Sequence, residues 1–242
     1  MITNLAGIKT IGVLTSGGDS PGITAAVMAV VRVAVKNNLS VYGVWHGYHG
    51  LITDEIQTLN NNSVSNIIQR GGTILKSARS QEFRTVEGRA KAAKVLQKYE
   101  IEALITIGGA GTFTGAQKFN EEHDIKVIGI PATIDNDIIG TDETIGYDTA
   151  LNTALEAIDK IRDTADAHER MFLVEVMGRD TGFIALETSI AGGAELALLP
   201  EELTDIADVK SQLKNMLKNQ VRSSLVVVAE GDESGGAMKL AD

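Results

Sequence analysis

The sequence predicts an α/β protein built on doubly wound parallel sheets, because short apolar runs alternate with helical patterns along nearly the whole chain. Gly and Asp cluster where the apolar runs end, which is the edge at which open α/β sheets bind ligands. Apolar residues make up 43% of the 242, enough for a sizeable core and one or two domains.

In order, the run at 10–14 (Thr-Ile-Gly-Val-Leu) reads as a first strand. A helix over 21–36 follows, opened by Pro21, whose fixed φ suits a first helical turn. Strands are expected at 41–45, 103–107 and 126–130, with helices over 86–99 and 112–120, the latter capped by Thr112. The pattern resumes with helices over 148–165, 181–190 and 205–218 and strands at 171–176, 195–199 and 225–229. Residues 234–242 read as the start of one more helix. A hinge is expected near 140–144, dividing 1–140 from 141–242. The chain shows no internal repeat and no low-complexity tract.

Composition narrows the function. With 32 acidic against 22 basic residues the net charge is −10, which argues against a nucleic-acid binder. If so acidic a chain binds phosphates, it must concentrate its few cations locally. The absence of cysteine excludes disulfides and thiolate metal sites and fits a cytoplasmic home. No window approaches the apolar length of a membrane span, and the start, Met1 to Lys9, lacks the pattern of a signal peptide.

The richest run is Pro131-Ala132-Thr133-Ile134-Asp135-Asn136-Asp137. Two carboxylates after an apolar strand stand at a ligand-binding sheet edge, where an Asp can serve as general base on a hydroxyl or hold a metal. Two glycine loops accompany it. Gly17 and Gly18 precede one helix; Gly108, Gly109, Gly111 and Gly115 surround the start of another. A glycine loop opening a helix is an anion site, although an ordinary βα turn would explain either loop alone. Lys76, Arg79 and Arg84 fall within one segment after Gly71-Gly72, and beside two glycine loops phosphate contacts explain them better than a solvated basic face. Arg179, in Met177-Gly178-Arg179, stands at a strand end, where it can clamp an anion or form a surface ion pair. His168 reads as structural or exposed, since no Ser or Cys partner pattern accompanies it.

The ordered motifs resemble the ATP-dependent 6-phosphofructokinase family of the bacterial glycolytic type. They are Leu-Thr-Ser-Gly-Gly-Asp (14–19), Gly-Gly-Thr…Ser-Ala-Arg (71–79), Gly-Gly-x-Gly (108–111), Thr-Ile-Asp-Asn-Asp (133–137), Met-Gly-Arg (177–179), Ala-Gly-Gly-x-Glu (191–195) and Ala-Glu-Gly (229–231). The resemblance implies two Rossmann-like lobes, 1–140 for ATP and 141–242 for the sugar phosphate, the second incomplete. It implies transfer of the γ-phosphoryl group of MgATP to the 1-hydroxyl of fructose 6-phosphate. Asp135 would be the base, Thr133 would sit beside the transferred group, Asp137 near Mg²⁺, and Arg79 would stabilise the developing charge. Gly18, Ser80, Gly109, Ala110, Gly111, Thr112 and Gly115 would line the nucleotide. Ile134, Met177, Gly178, Arg179 and Glu230 would hold the sugar, with Arg170 reaching a neighbouring subunit of a homotetramer. Arg32, Arg162, Gly193 and Glu195 would belong to an effector site for ADP or phosphoenolpyruvate.

The chain departs from the family in four places. Ala110 stands where the family has an Asp that supports Mg²⁺, and a methyl group offers a hard cation no oxygen. Ala132 stands where ATP users have Gly and pyrophosphate users have Lys; with Gly111, it leaves ATP as the expected donor. The family's Gly-His-x-Gln-Arg-Gly-Gly segment is not present, so exposed apolar surface is expected. Met28, Asn61, Asn219 and Val221 replace common effector-site cations, which predicts weak control by ADP or phosphoenolpyruvate. Two readings compete: an active kinase, and a non-catalytic subunit that binds nucleotide or sugar phosphate. The Thr-Ile-Asp-Asn-Asp and Met-Gly-Arg runs count against an NAD-kinase type and against a merely structural α/β domain.

Overall fold

The computed structural model describes residues 7–219 and 223–241, so the first six residues, Val221 and Asp242 lie outside the described part. The chain forms two compact units, Met1–Thr133 with Ile138–Gly146, and Ile134–Asp137 with Tyr147–Asp242. Residues 134–137 belong to the second unit before the chain returns to the first over 138–146, the segment that contains residues 140–144, where a hinge is expected.

The first unit holds a five-stranded sheet in the order β3-β2-β1-β4-β5. Its strands are β1 (Thr10–Ser16), β2 (Ser40–Val44), β3 (Ile56–Leu59), β4 (Ala103–Gly108) and β5 (Lys126–Pro131). All neighbours are parallel except β2 and β3. That antiparallel edge strand goes beyond the sequence expectation, because Ile-Gln-Thr-Leu is too short and too polar to stand out. So does α2 (Gly47–Thr53), whose two glycines lower helix propensity. The other helices are α1 (Ile23–Lys36), α3 (Val86–Lys98) and α4 (Ala110–His123).

Burial follows the strand period. Val13 turns to one core with Ile23, Val27, Val31 and Leu75, and Leu14 to another with Tyr48, Phe83, Leu96, Leu104 and Phe119. Register then aligns the carboxyl ends: Ser16 pairs with Gly108, and Gly108 with Pro131. Both glycine loops and Thr133 therefore leave the sheet side by side.

The second unit has three parallel strands in the order β6-β8-β7: β6 (Met171–Val176), β7 (Leu196–Leu198) and β8 (Ser224–Ala229). β8 is buried throughout, as a central parallel strand requires. Leu225, Val227 and Ala229 face a core with α5 (Tyr147–His168) and α6 (Phe183–Gly192), into which Ile134 packs. Val226 and Val228 face α7 (Ile206–Lys218) and the short α8 (Ala237–Ala241). Ile128, Ile139, Ile190, Leu203 and Met238 are exposed. Among the described residues no helix is long and apolar enough to cross a membrane.

Candidate active site

In the first unit, the β1 loop and the basic segment form one assembly. Gly17, at φ 91°, makes the turn out of β1, and Gly22, at φ 85°, precedes α1. Pro21 therefore lies just ahead of that helix rather than in its first turn. Asp19 Oδ1 accepts the N–H of Thr73 at 3.0 Å, and Thr24 Oγ1 donates to Gly72 O at 2.9 Å. Thr15 Oγ1 donates to Lys76 O at 2.7 Å and lies 2.9 Å from Thr73 Oγ1, while Ser77 Oγ donates to Gly17 O. Lys76, Arg79 and Arg84 reach solvent from this pinned backbone. Ser80 Oγ accepts the N–H of Phe83, opening a single 3₁₀ turn, Glu82–Arg84.

A buried arginine closes the segment. Arg89 donates through Nε and Nη2 to the two oxygens of Glu122, each at 2.6 Å, and through Nη1 to the carbonyls of Phe83 and Arg84 at 2.9 and 2.8 Å. The guanidinium holds the Glu122 carboxyl below its ordinary value and is itself held charged by it. Phe83 stacks on Tyr48 with ring centres 3.9 Å apart, and a Cβ on Gly115 would lie 3.1 Å from Tyr48 and 3.3 Å from Phe83. Burial pushes the Tyr48 phenol well above its ordinary range, so it stays a donor, to Thr112 O at 2.7 Å.

The second glycine loop is tighter than expected. A Cβ on Gly108 would fall 2.2 Å from Ser16 O, so glycine is what lets the two strand ends meet. α4 begins at Ala110 with Gly109 before it, so Thr112 does not cap the helix. Its hydroxyl instead donates to Ser16 O at 2.9 Å, joining α4 to β1. Space is open around Gly18 and Gly111, where no atom lies within 4 Å of the position that a methyl group would take, and Gly109 faces Thr133. Ala110 is exposed and α4 carries no acidic residue in its first turn. Buried Ala132 donates its N–H to Gly108 O, so a Cβ is accommodated there, and Thr144 Oγ1 donates to Thr133 O at 2.6 Å.

In the second unit, the turn after β6 is fixed from several sides. Glu230 Oε1 accepts the N–H groups of Gly178 (3.3 Å) and Arg179 (2.7 Å), and Glu201 Oε1 accepts that of Gly182 (2.8 Å). Met177 and Arg179 stay exposed. Thr181 Oγ1 donates to the main-chain carbonyl of Asp135 at 2.7 Å. Asp137 Oδ1 is buried with no hydrogen-bond partner, an orphaned acceptor that fits a cation. Among the described residues no group of three or more His, Asp or Glu could hold a metal, so an ion here would take most of its oxygens from a ligand. Arg170 and His168 are exposed.

The expected effector residues divide. Arg32 is exposed on α1 in the first unit. Arg162 lies in the second, where Nε donates to Gly192 O at 3.0 Å, Nη2 to Gly193 O, and Nη1 lies 3.6 Å from Glu195. Arg89, Glu122, Thr181 and Glu201 escape a reading of the sequence, and Asp19 and Thr73 stand in motifs that do not reveal their bond, since a polar side chain that fastens backbone leaves no periodic signal.

The phosphofructokinase family model matches residues 10–242. The chain is 55% identical to ATP-dependent 6-phosphofructokinase 2 of Bacteroides thetaiotaomicron, over 97% of this chain and 72% of that protein. It is 57% identical to ATP-dependent 6-phosphofructokinase 1 of Thermus thermophilus, over 96% and 72%. Among solved structures, phosphofructokinase from Saccharomyces cerevisiae superposes with a TM-score of 0.86 at 38% identity, over 93% of this chain and 34% of that one. The chain thus spans about a third of the yeast chain.

Proposed function

The chain belongs to the phosphofructokinase family, and we propose that it transfers the γ-phosphoryl group of ATP to the 1-hydroxyl of fructose 6-phosphate, a glycolytic step. The observation that carries this reading is the bond between Thr181 and Asp135, which joins the loop of the base to the Met-Gly-Arg turn within one compact unit.

In this reading Asp135 takes the proton of the sugar 1-hydroxyl as its oxygen bonds to the γ-phosphorus. The bond from that phosphorus to the bridging oxygen breaks, and its electron pair leaves on ADP. General-base help of this kind is worth ~10²–10⁴-fold. Arg79 meets the charge spread over the equatorial oxygens, and Thr133, held by Thr144, borders the transferred group. Gly18, Ser80, Gly109, Ala110, Gly111, Thr112 and Gly115 line the nucleotide, Thr112 and Gly115 chiefly through backbone. Arg179, Met177, Gly178, Ile134 and Glu230 hold the sugar. Glu230 offers its second oxygen to a hydroxyl while the first keeps the turn. Asp137 is the carboxylate that would hold Mg²⁺, directly or through water, and the ion, when bound with ATP, would screen phosphate charge. A homotetramer in which Arg170 serves a neighbouring subunit, and a cytoplasmic location, complete the proposal.

A second reading, a non-catalytic binding subunit, is favoured by exposed Ala110 on a helix start without a carboxylate. A coupled assay of fructose 1,6-bisphosphate formation separates the two. The kinase reading expects turnover that needs both substrates; a folded chain that binds ATP yet yields no product, with and without Ala110→Asp, would establish the binding subunit instead.

A further inference from the structure

Thr181 joins two loops that the proposed reaction uses separately. Its Oγ1 donates to Asp135 O at 2.7 Å, with Gly178 O as a second acceptor at 2.9 Å. The turn that carries it is tied from several sides. Gly178 and Arg179 take φ values of 150° and 57°, Glu230 and Glu201 hold backbone N–H groups on either side, and the Thr181 N–H donates to Gly178 O at 3.0 Å. A Cβ on Gly231 would fall 1.9 Å from Arg179 O, so the backbone just beyond β8 lies directly against this turn. Across the bond, Ile134 is packed in the core of the same unit, and Asn136 adopts a left-handed φ of 51°. The Asp135 carbonyl therefore sits between a packed residue and a turn that departs from ordinary backbone, and the threonine hydroxyl sets its register.

We propose that Thr181 is a positioning residue for Asp135, aligning the carboxylate with the sugar hydroxyl that the neighbouring Met177–Arg179 segment holds. The inference rests on the phosphofructokinase reading. A general base must come within ~2.6–3.2 Å of the atom that carries the proton, or reach it through one water. A displacement of about 1 Å costs ~10²-fold in rate. Valine keeps the shape of threonine and removes the donor, whereas serine keeps the donor.

The test compares Thr181→Val and Thr181→Ser with the wild-type chain in the same assay, with hydrogen exchange followed over residues 133–138. Thr181→Val is expected to lower kcat by ~10–100-fold with the KM for ATP unchanged, while Thr181→Ser stays within ~3-fold of wild type. Exchange over 133–138 should quicken in the valine variant and not in the serine variant. A wild-type kcat in Thr181→Val, equal loss in both variants, or unchanged exchange in the valine variant would each overturn the inference. If the wild-type chain makes no product, the kinase reading falls, and the exchange comparison alone decides whether Thr181 holds the loop.

Discussion

Replacing Glu122 with Ala should both destabilise the first unit and loosen the nucleotide segment. The pair is bidentate, with two contacts at 2.6 Å, and the side chains of Arg89 and Glu122 are 5% and 29% exposed. Arg89 is buried while Glu122 lies at the surface, so what deleting the carboxylate costs is the loss of acceptors for the buried guanidinium, ~1–3 kcal/mol. Water can replace the lost carboxylate oxygens, and the guanidinium keeps the Phe83 and Arg84 carbonyls, so the low end applies, about 1–2 kcal/mol. At ~2–4 °C per kcal/mol for a chain of this size, the midpoint should fall by about 2–8 °C. Trp45 is the chain's one tryptophan and lies in the first unit, so its fluorescence during unfolding reads the right region. The double variant Arg89→Met with Glu122→Leu should cost less than the sum of the singles by more than ~0.5 kcal/mol, because it strands no charge. Arg89 also fixes the backbone just beyond Arg79 and Ser80, so the KM for ATP should rise and that for fructose 6-phosphate should not. Because Glu122 titrates below its ordinary value of 4.5, the bridge is fully present above that value and is lost as pH falls through the lowered one. The gap between wild type and Glu122→Gln should therefore close in acid. A single-variant cost under ~0.5 kcal/mol, or strict additivity, would refute the clamp.

Gly108→Ala puts a methyl 2.2 Å from Ser16 O; it should cost ~1–3 kcal/mol and weaken ATP binding, measurable by denaturant unfolding and nucleotide titration. Arg179→Lys loses the planar fork and about 1.5–3 kcal/mol of charged hydrogen bonding, which predicts a ~10–100-fold fall in kcat/KM for fructose 6-phosphate with the KM for ATP unchanged. Arg162 is already held by the Gly192 and Gly193 carbonyls and Glu195, so ADP should show no tight second site when titrated with the catalytic site saturated, and Arg162→Ala should act on stability instead.

The strands at 171–176 and 126–130 are legible because apolar runs flanked by Gly and Asp have few other uses, and the chain's parallel sheets follow from the alternation. β3 and α2 are not, because four half-polar residues and a glycine-broken turn owe their form to neighbours. Residue choice points to Gly108 as a nucleotide contact, yet its tightest constraint is strand-to-strand, visible only once Ser16 and Pro131 are in register beside it. Thr112 carries the composition of a cap and acts as a tie between helix and strand. Arg84 and Arg89 look alike in sequence; one is exposed and the other has its guanidinium filled by four contacts.

Charge explains how a chain of net charge −10 can bind two anionic substrates, and it limits what Ala110 can damage. Ion pairs engage Arg89, Lys91, Lys98, Lys160 and Arg162, all on helices. Among the described residues Lys76, Arg79 and Arg84 in the first unit, and Arg170 and Arg179 in the second, form no ion pair. Charged hydrogen bonds contribute about 1.5–3 kcal/mol each. Millimolar to micromolar affinity needs about 4–8 kcal/mol, which two or three such cations supply. Nucleotide affinity therefore does not depend on a carboxylate at residue 110. What that carboxylate would add is one more oxygen for the metal, of the kind that the orphaned Asp137 Oδ1 offers. Ala110→Asp should accordingly shift the Mg²⁺ dependence of kcat to lower concentration and leave ATP binding without Mg²⁺ unchanged or slightly weaker, since it adds negative charge. A large gain in metal-free ATP affinity would show that the helix start, not the metal, is what the alanine impairs.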